Sequence, residues 1–464
     1  MMMVKEAAQV LHADWSGKDV LFTGVSTDSR TLKQGNLFVA LTGESFDGSR
    51  FVGNAVEKGA VATMLNQAAD SNDLPVGVPL LWVEDTRLGL GQLAAYWRDR
   101  FTLPVIAVTG SNGKTTVKEM IASILRRQVT ANGKAVANEP VDPVLATEGN
   151  LNNDIGVPQM LLRLRQHHRY AVIEMGMNHR GEISYLTQLA KPTIALITNA
   201  GEAHIEGLGS VEAVARAKAE IFEGLDQQGT AIINADDQYA SLWRKCAGSR
   251  QIMDFGLRER ARINAEYQTH PLMSRMQLKL PDGVAEVELQ VPGVHNIYNA
   301  LAAAAAATAL GINKELIASG LESFQGVQGR MQKKPGLHHA RLIDDTYNAN
   351  PESVRAALAV LAATKGKRIL VLGDMGELGQ SAVDLHRTIG RDARKAGLDQ
   401  LLTLGELSAY AAEEFGKGAQ HFNTLDELLN VTERLLADDV TLLIKGSRFM
   451  QMERVVKQLE AKHS

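Results

Sequence analysis

Short runs of β-branched and other apolar residues recur along this chain, and most give way to stretches whose apolar residues return every three or four positions. From Pro104 the run "PVIAV" reads as a buried strand, and "TVKEMIASILRR" carries Val117, Met120, Ile121, Ile124 and Leu125 on one helical face. "YAVIEMG", "TIALITNAG" and "TAIINADD" repeat the strand pattern, with a helix expected over 211–222. That alternation predicts a parallel sheet with crossover helices. Between Ser249 and Pro292 the rhythm changes to "MQLKL" and "AEVELQV", which suggests an antiparallel insertion. After "KKPG" at Lys333 to Gly336 a third alternating set follows, "ARLIDD", "KRILVLGD", "LLTLGE" and "TLLIKGS", in a Rossmann-like order. Ahead of Pro104 short strands and turns mix with helices at the start, near 51–59, and in "TRLGLGQLAAYWRDRF". The expectation is an α/β chain of three domains: a mixed α/β domain over 1–103, a central domain with a parallel sheet over 104–332, and a Rossmann-like domain over 333–464. The length of 464 residues agrees with about three units of ordinary size.

Composition adds exclusions. The chain is 45% hydrophobic and 22% charged with a formal net charge of −4, so no basic surface argues for nucleic acid or an anionic membrane as partner. A single cysteine, Cys246, excludes an internal disulfide and any multi-cysteine metal site, and suits a reducing cytoplasm. The start, "MMMVKEAAQVLHADW", has an acidic residue and a tryptophan where a secretory signal needs a continuous apolar core; it reads as a first helix. The run "ALAAAAAATALG" is too short to span a bilayer. A cytoplasmic monomer is expected.

Candidate chemistry centres on "TGSNGKTT", Thr109 to Thr116. It matches the second half of a P-loop, since Val108 stands where the first glycine would be. Between a strand and a helix N-terminus, Gly110, Ser111, Asn112 and Gly113 can turn backbone N–H groups toward an anion. Lys114 would reach the phosphates of a nucleotide and the Thr115 hydroxyl a Mg²⁺ ion; the plainer alternative is a glycine-rich turn with a solvated lysine. Glu174 closes the strand "YAVIE" as a metal-holding carboxylate would, or is merely an acidic residue at a strand end. His204, in "NAGEAHIEGLGS", is a metal ligand or an ordinary loop histidine. Lys218 falls within the apolar stripe Val211, Val214, Ile221, Phe222 and Leu225, with Glu212, Arg216 and Glu220 on the other face. Its ammonium would face the interior, where it needs a carboxylate, a depressed pKa or chemical modification. Carbamylation by CO₂ would reverse its charge and add oxygens for Mg²⁺; snorkelling at the edge of the stripe is the other reading.

These residues resemble the bacterial Mur ligases, which add amino acids to the peptidoglycan precursor. "TGSNGKTT", "VIEMG", "AHIEG", "ARAKAEIF", "GVHNIYNALAAAA", "GR" at Gly329-Arg330 and "DDTYNANP" occur in family order through all three domains. The resemblance implies a central P-loop ATPase domain and an ATP-dependent amide ligase. "STDSR", "GNLFVALTGESFDG", "TEGNLNNDIGVP", "MNHRGEI" and "GDMGELG" point to the member that joins D-alanyl-D-alanine to UDP-N-acetylmuramoyl-tripeptide through an acyl phosphate. The alternatives are the diaminopimelate- or lysine-adding ligase, whose D-N-P-R motif is missing here, and a P-loop kinase or ATPase.

Roles follow by resemblance. Gly110, Asn112, Gly113, Lys114 and Thr116 would hold the ATP phosphates. Thr115 and Glu174 would bind one Mg²⁺, and His204 with a carbamylated Lys218 the second. Asn296, Asn299 and Arg330 would lie near the nucleotide, Asp345 at its ribose and Asn348 on the adenine side. Thr27 to Arg30, including Ser29, and Phe46 to Gly48, including Asp47, would cradle the uridine diphosphate. Asn150, Asn152, Asn153, Asn178 and His179 would face the muramoyl peptide, and Lys445 to Arg448 the dipeptide.

Overall fold

The computed structural model describes residues 1–43, 46–69, 74–131, 141–202, 205–271 and 273–461. Three main α/β sheets are built in succession. The first runs Asp14–Ser16, Leu80–Val83, Ala62–Asn66, Asn36–Val39, Gly24–Ser26 across space, parallel except for the Asp14–Ser16 edge. The helix Thr86–Arg98 leaves this sheet at Asp85, whose carboxylate accepts the amides of Arg87 and Leu88 and so satisfies two of the helix's otherwise unbonded donors.

The central sheet has six parallel strands in the order Val144–Ala146, Tyr170–Glu174, Val105–Thr109, Ile194–Ile197, Thr230–Asn234, Gln251–Phe255. Every residue of Val105–Thr109, Ile194–Ile197 and Thr230–Asn234 is buried, as expected of strands covered on both faces. The chain leaves Val105–Thr109 first to one side and then to the other. That strand is therefore the topological switch point, and the loop after it opens into the crevice where α/β sheets bind ligands.

Gln251–Phe255 had the look of inserted structure but is the edge of the parallel sheet, and the antiparallel insertion is Asn264–Thr269, Ser274–Leu280, Gly283–Leu289. "QIMDF" is half polar because an edge strand is covered on few sides.

The third sheet runs Gln332–Pro335, Arg341–Asp345, Val440–Lys445, Lys367–Gly373, Gln400–Leu404, Ala419–Phe422, parallel apart from its first edge. Both edge strands, "QKKP" and "AQHF", lack the apolar run by which the others are legible. Among the described residues no helix is long and apolar enough to cross a membrane.

The first and central sheets share one hydrophobic core, in which Leu90 and Leu93 join Ile183 and Leu186. Polar contacts reinforce it: Trp97 Nε1 donates to the Leu164 carbonyl at 3.0 Å, Arg98 Nε to the Ala190 carbonyl at 2.7 Å, and Gln159 Nε2 to Thr27 Oγ1 at 2.9 Å. Third-sheet residues pack into separate clusters, around Leu370 and Leu361 on one face and Leu442 and Val455 on the other.

Candidate active site

Two glycines shape the loop after Val105–Thr109. At Gly110, φ is 152° and an added Cβ would stand 1.8 Å from Thr198 Oγ1; at Gly113, φ is 83° and the Cβ would stand 2.3 Å from Asn299 Oδ1. The loop was expected to aim the Ser111 and Asn112 amides at an anion. Instead they donate to the Asn199 carbonyl and side-chain oxygen, at 3.0 and 2.9 Å. The amides available to an anion are those opening the helix Lys114–Ala131, which have no intrahelical acceptor.

Lys114 Nζ donates to the Gly110 carbonyl at 2.8 Å. Enclosure lowers its pKa, Glu174 opposes that, the Arg330 guanidinium adds to it, and Glu377 opposes it again. Thr115 Oγ1 donates to Glu174 Oε2 at 2.8 Å and accepts from Arg330 Nη2 at 2.9 Å. Glu174 is 1% exposed; its other oxygen accepts from Asn152 Nδ2 at 2.8 Å and its amide donates to Thr147 Oγ1 at 2.9 Å. Behind Thr147, buried Lys118 donates to the Thr147 carbonyl and pairs with Glu119. The carboxylate is thus fixed from both sides. Arg330 stacks 4.1 Å above the Tyr347 ring, and its buried Nε has no partner among the described residues.

Lys218, on the helix Val211–Ala219, is 1% exposed and has neither ion pair nor hydrogen bond among the described residues. Burial, with Lys114 adding to it, pushes its pKa far below the usual lysine value. The snorkelling alternative is therefore set aside. His204 lies outside the described residues.

Glu220 was expected on the outer face, but the helix tightens into a 3₁₀ turn over Glu220–Phe222, which turns this carboxylate inward. It accepts the Gly181 amide at 3.0 Å and the Ser184 amide at 3.3 Å, capping the helix Glu182–Ala190 and holding the loop that carries Asn178 and His179. His179 Nδ1 lies 3.1 Å from Glu182 Oε1. Asn153 Oδ1 accepts the Gly156 amide at 2.8 Å, and Asn150 is exposed.

From the third sheet, neighbouring strands end in Asp345 and Lys445, register partners whose side chains form an ion pair at 2.6 Å. Asp345 Oδ1 also accepts the Met331 amide at 3.2 Å, and Lys445 Nζ donates to the Asn348 carbonyl at 2.9 Å. Lys445, assigned by resemblance to the dipeptide, is held beside the residue assigned to the ribose. Arg448 remains outside this cluster, exposed and paired with Glu453 at 2.8 Å. Asn299 Nδ2 donates to Asn296 Oδ1 at 3.0 Å, and Asn296 Nδ2 to the Pro292 carbonyl at 2.8 Å.

A cleft of about 1000 Å³ between the central and third sheets brings together Asn112, Gly113, Lys114, Thr116, Asn152, Asn153, Glu174, Asn178, Asn296, Asn299, Arg330, Asp345, Asn348, Lys445 and Arg448. Gly110, Thr115, Lys218, Asn150 and His179 are not part of this lining. The first-domain set is also elsewhere: Ser29 is buried, Arg30 forks onto Asp28 with Nη2 at 2.8 Å, and Asp47 accepts the Ser49 amide at 2.9 Å. Sequence reasoning missed Asn199, Tyr298 with Asp236, Asn350 and Glu352, all of which line the cleft. Only "NANPES" carried a legible signal, a capping residue before proline that opens the helix Pro351–Ala362.

The cleft loop after Lys367–Gly373 is pinned by fully buried His386. Its Nδ1 lies 2.7 Å from the Ala382 carbonyl, which can only accept, so Nε2 is the unprotonated nitrogen that receives the Met375 amide at 3.0 Å. Burial lowers the His386 pKa below 6.5. The unfolded chain then takes up the proton first, and stability falls as pH drops below that value. We expect urea midpoints of the wild-type chain to decline between pH 7 and 5, and those of His386→Asn, which keeps an acceptor but gains no proton, to decline less. Equal declines would sink this assignment.

Profiles of known families match the chain in three consecutive stretches: "Mur ligase family, catalytic domain" over 21–98, "Mur ligase middle domain" over 108–307, and "Mur ligase, glutamate ligase domain" over 329–448. The chain belongs to the Mur ligase family. It is 40% identical over 463 residues to UDP-N-acetylmuramoyl-tripeptide–D-alanyl-D-alanine ligase of Escherichia coli (strain K12), covering 98% of each. The ligase of the same name from Haemophilus influenzae is 39% identical over 464 residues, again covering 98% of each. A crystal structure of MurF from Acinetobacter baumannii superposes with a TM-score of 0.88 at 39% identity and 98% coverage of both chains.

Proposed function

We propose that this chain joins D-alanyl-D-alanine to UDP-N-acetylmuramoyl-tripeptide with conversion of ATP to ADP and phosphate. The observation that carries the reading is the cationic end of the cleft. Lys114, Arg330 with an Nε that has no partner among the described residues, and the opening amides of a helix converge on a loop whose glycines leave no room for a side chain. A polyphosphate is the ligand that these cations and amide donors, set around a loop with no side chain in the way, are suited to bind. The full-length relatives named for this reaction supply the substrates.

Lys114, Gly113 and Thr116 hold the phosphates with Arg330; Asn296, Asn299, Asp345 and Asn348 surround the nucleoside. Thr115 and Glu174 fit Mg²⁺, a hydroxyl and a fixed carboxylate being the oxygen donors that ion takes. Lys218 as a carbamate, with His204, serves a second ion. Bound there, Mg²⁺ neutralises charge on the transferring phosphoryl group.

The tripeptide's terminal carboxylate attacks the γ-phosphorus, ADP departs, and an acyl phosphate forms. The free amine of the dipeptide then adds to the acyl carbon, a proton is lost from nitrogen, and the tetrahedral adduct expels phosphate to leave an amide. The chain's part is to align the carboxylate, stabilise charge and exclude the water that would hydrolyse the acyl phosphate. Asn152, Asn153 and Asn178 lie on the muramoyl-peptide side, and Ser29, Arg30 and Asp47 receive the uridine diphosphate. Arg448, exposed at the third-domain lip, faces the dipeptide.

The test is phosphate release from Mg-ATP with UDP-muramoyl-tripeptide, with and without D-Ala-D-Ala, and mass analysis of the product. Release that requires the dipeptide and yields the pentapeptide is expected. Release indifferent to any amine would leave only an ATPase.

A further inference from the structure

Asn112 sits in the middle of the nucleotide loop, yet its side chain is taken by the third domain. Nδ2 donates to Glu352 Oε2 at 2.8 Å, and Oδ1 accepts from Asn350 Nδ2 at 2.9 Å. Asn350 is the N-cap of the helix Pro351–Ala362, its own Oδ1 accepting the Ser353 amide at 2.9 Å, and Glu352 is in that helix's first turn.

The other side of Asn112 is gripped by the central domain. Its amide donates to Asn199 Oδ1, and its carbonyl accepts from Thr198 Oγ1 at 2.6 Å and Asn199 Nδ2 at 3.1 Å. The segment that grips it also meets the third-domain helix: a Cβ at Gly201 would stand 2.1 Å from Glu352 Oε2, and Arg355 lies 3.7 Å from Glu202. The first and central domains share an apolar core, to which polar contacts are added. The contact of the third domain with this loop is instead a few directional bonds, which form only in one register.

We infer that Asn112 is the reader of third-domain docking, with Asn350 and Glu352 as positioning residues that hold the nucleotide loop in its phosphate-receiving shape. The inference rests on the reading of that loop as the ATP site. It reassigns the Asn112 side chain from phosphate ligand to inter-domain contact, because the side-chain bonds of both its heteroatoms run to the third domain.

A double-mutant cycle tests it. Asn112→Asp places a carboxylate against Glu352 and should weaken binding of a non-hydrolysable ATP analogue by about tenfold or more. Glu352→Gln keeps an acceptor for Asn112 and should change affinity little. Combined, the glutamine amide can donate to the new carboxylate, and affinity should return to within about threefold of wild type. Small-angle scattering with the analogue present should show the single aspartate variant expanded and the double variant compact, and thermal unfolding checks that all three chains fold.

An Asn112→Asp defect that persists undiminished beside Glu352→Gln would show that Asn112 acts on the phosphates, and would overturn the inference while leaving the ATP site intact. A wild-type chain that fails to bind the analogue would overturn the ATP reading and this inference together. The identity of the two joined substrates affects neither result.

Discussion

Lys114→Met should lower kcat for amide formation by about 10³-fold or more while leaving the chain folded and its unfolding temperature unchanged or raised. The two halves of the result have separate causes. The ammonium is partly buried, its pKa is pushed down, and among the described residues its hydrogen bond is to the Gly110 carbonyl, so the folded state gains little from the charge. The transition state gains much more, since phosphoryl transfer spreads negative charge over oxygens that the protein neutralises by position alone. Methionine fills the space of the alkyl stem without the charge. Activity within tenfold of wild type, with stability intact, would remove the phosphates from this loop.

Much of the fold was legible because strands buried on both faces must be apolar from end to end, as Val105–Thr109 and Ile194–Ile197 are. The edges escaped for the same reason: Gln332–Pro335 and Ala419–Phe422 are covered on few sides and carry polar residues. In the site, Lys114, Thr115 and Glu174 were legible from local context, a glycine loop and a strand end, and they do lie together. Glu220 was misplaced because the helical period was carried through a turn that tightens to 3₁₀. Asn350 and Glu352 could not be placed at all, since their partner is more than 230 residues away and no periodicity encodes which helix end meets which loop.

Lys218 supports the second large effect, in which activity and stability move in opposite directions. A lysine that is 1% exposed, with no described partner and a second ammonium at Lys114 lowering its pKa further, is a poor structural element. Its burial favours the neutral amine, which is the form that adds to CO₂. A carbamate formed there would be an anion, and an anion with two oxygens would suit the second Mg²⁺ proposed for this cleft. Lys218→Met should therefore keep or raise the unfolding temperature and lower kcat by about 10²-fold or more, the scale of losing one electrostatic stabiliser of the transition state. Removing dissolved CO₂ from the wild-type enzyme should reduce its rate, and bicarbonate should restore it; the methionine variant should respond to neither. Bicarbonate labelled with ¹³C should give a carbamate resonance that the variant lacks. A wild-type rate indifferent to CO₂, with no such resonance, would return Lys218 to the state of a free buried amine. The proposed second metal position would then lose its anionic ligand.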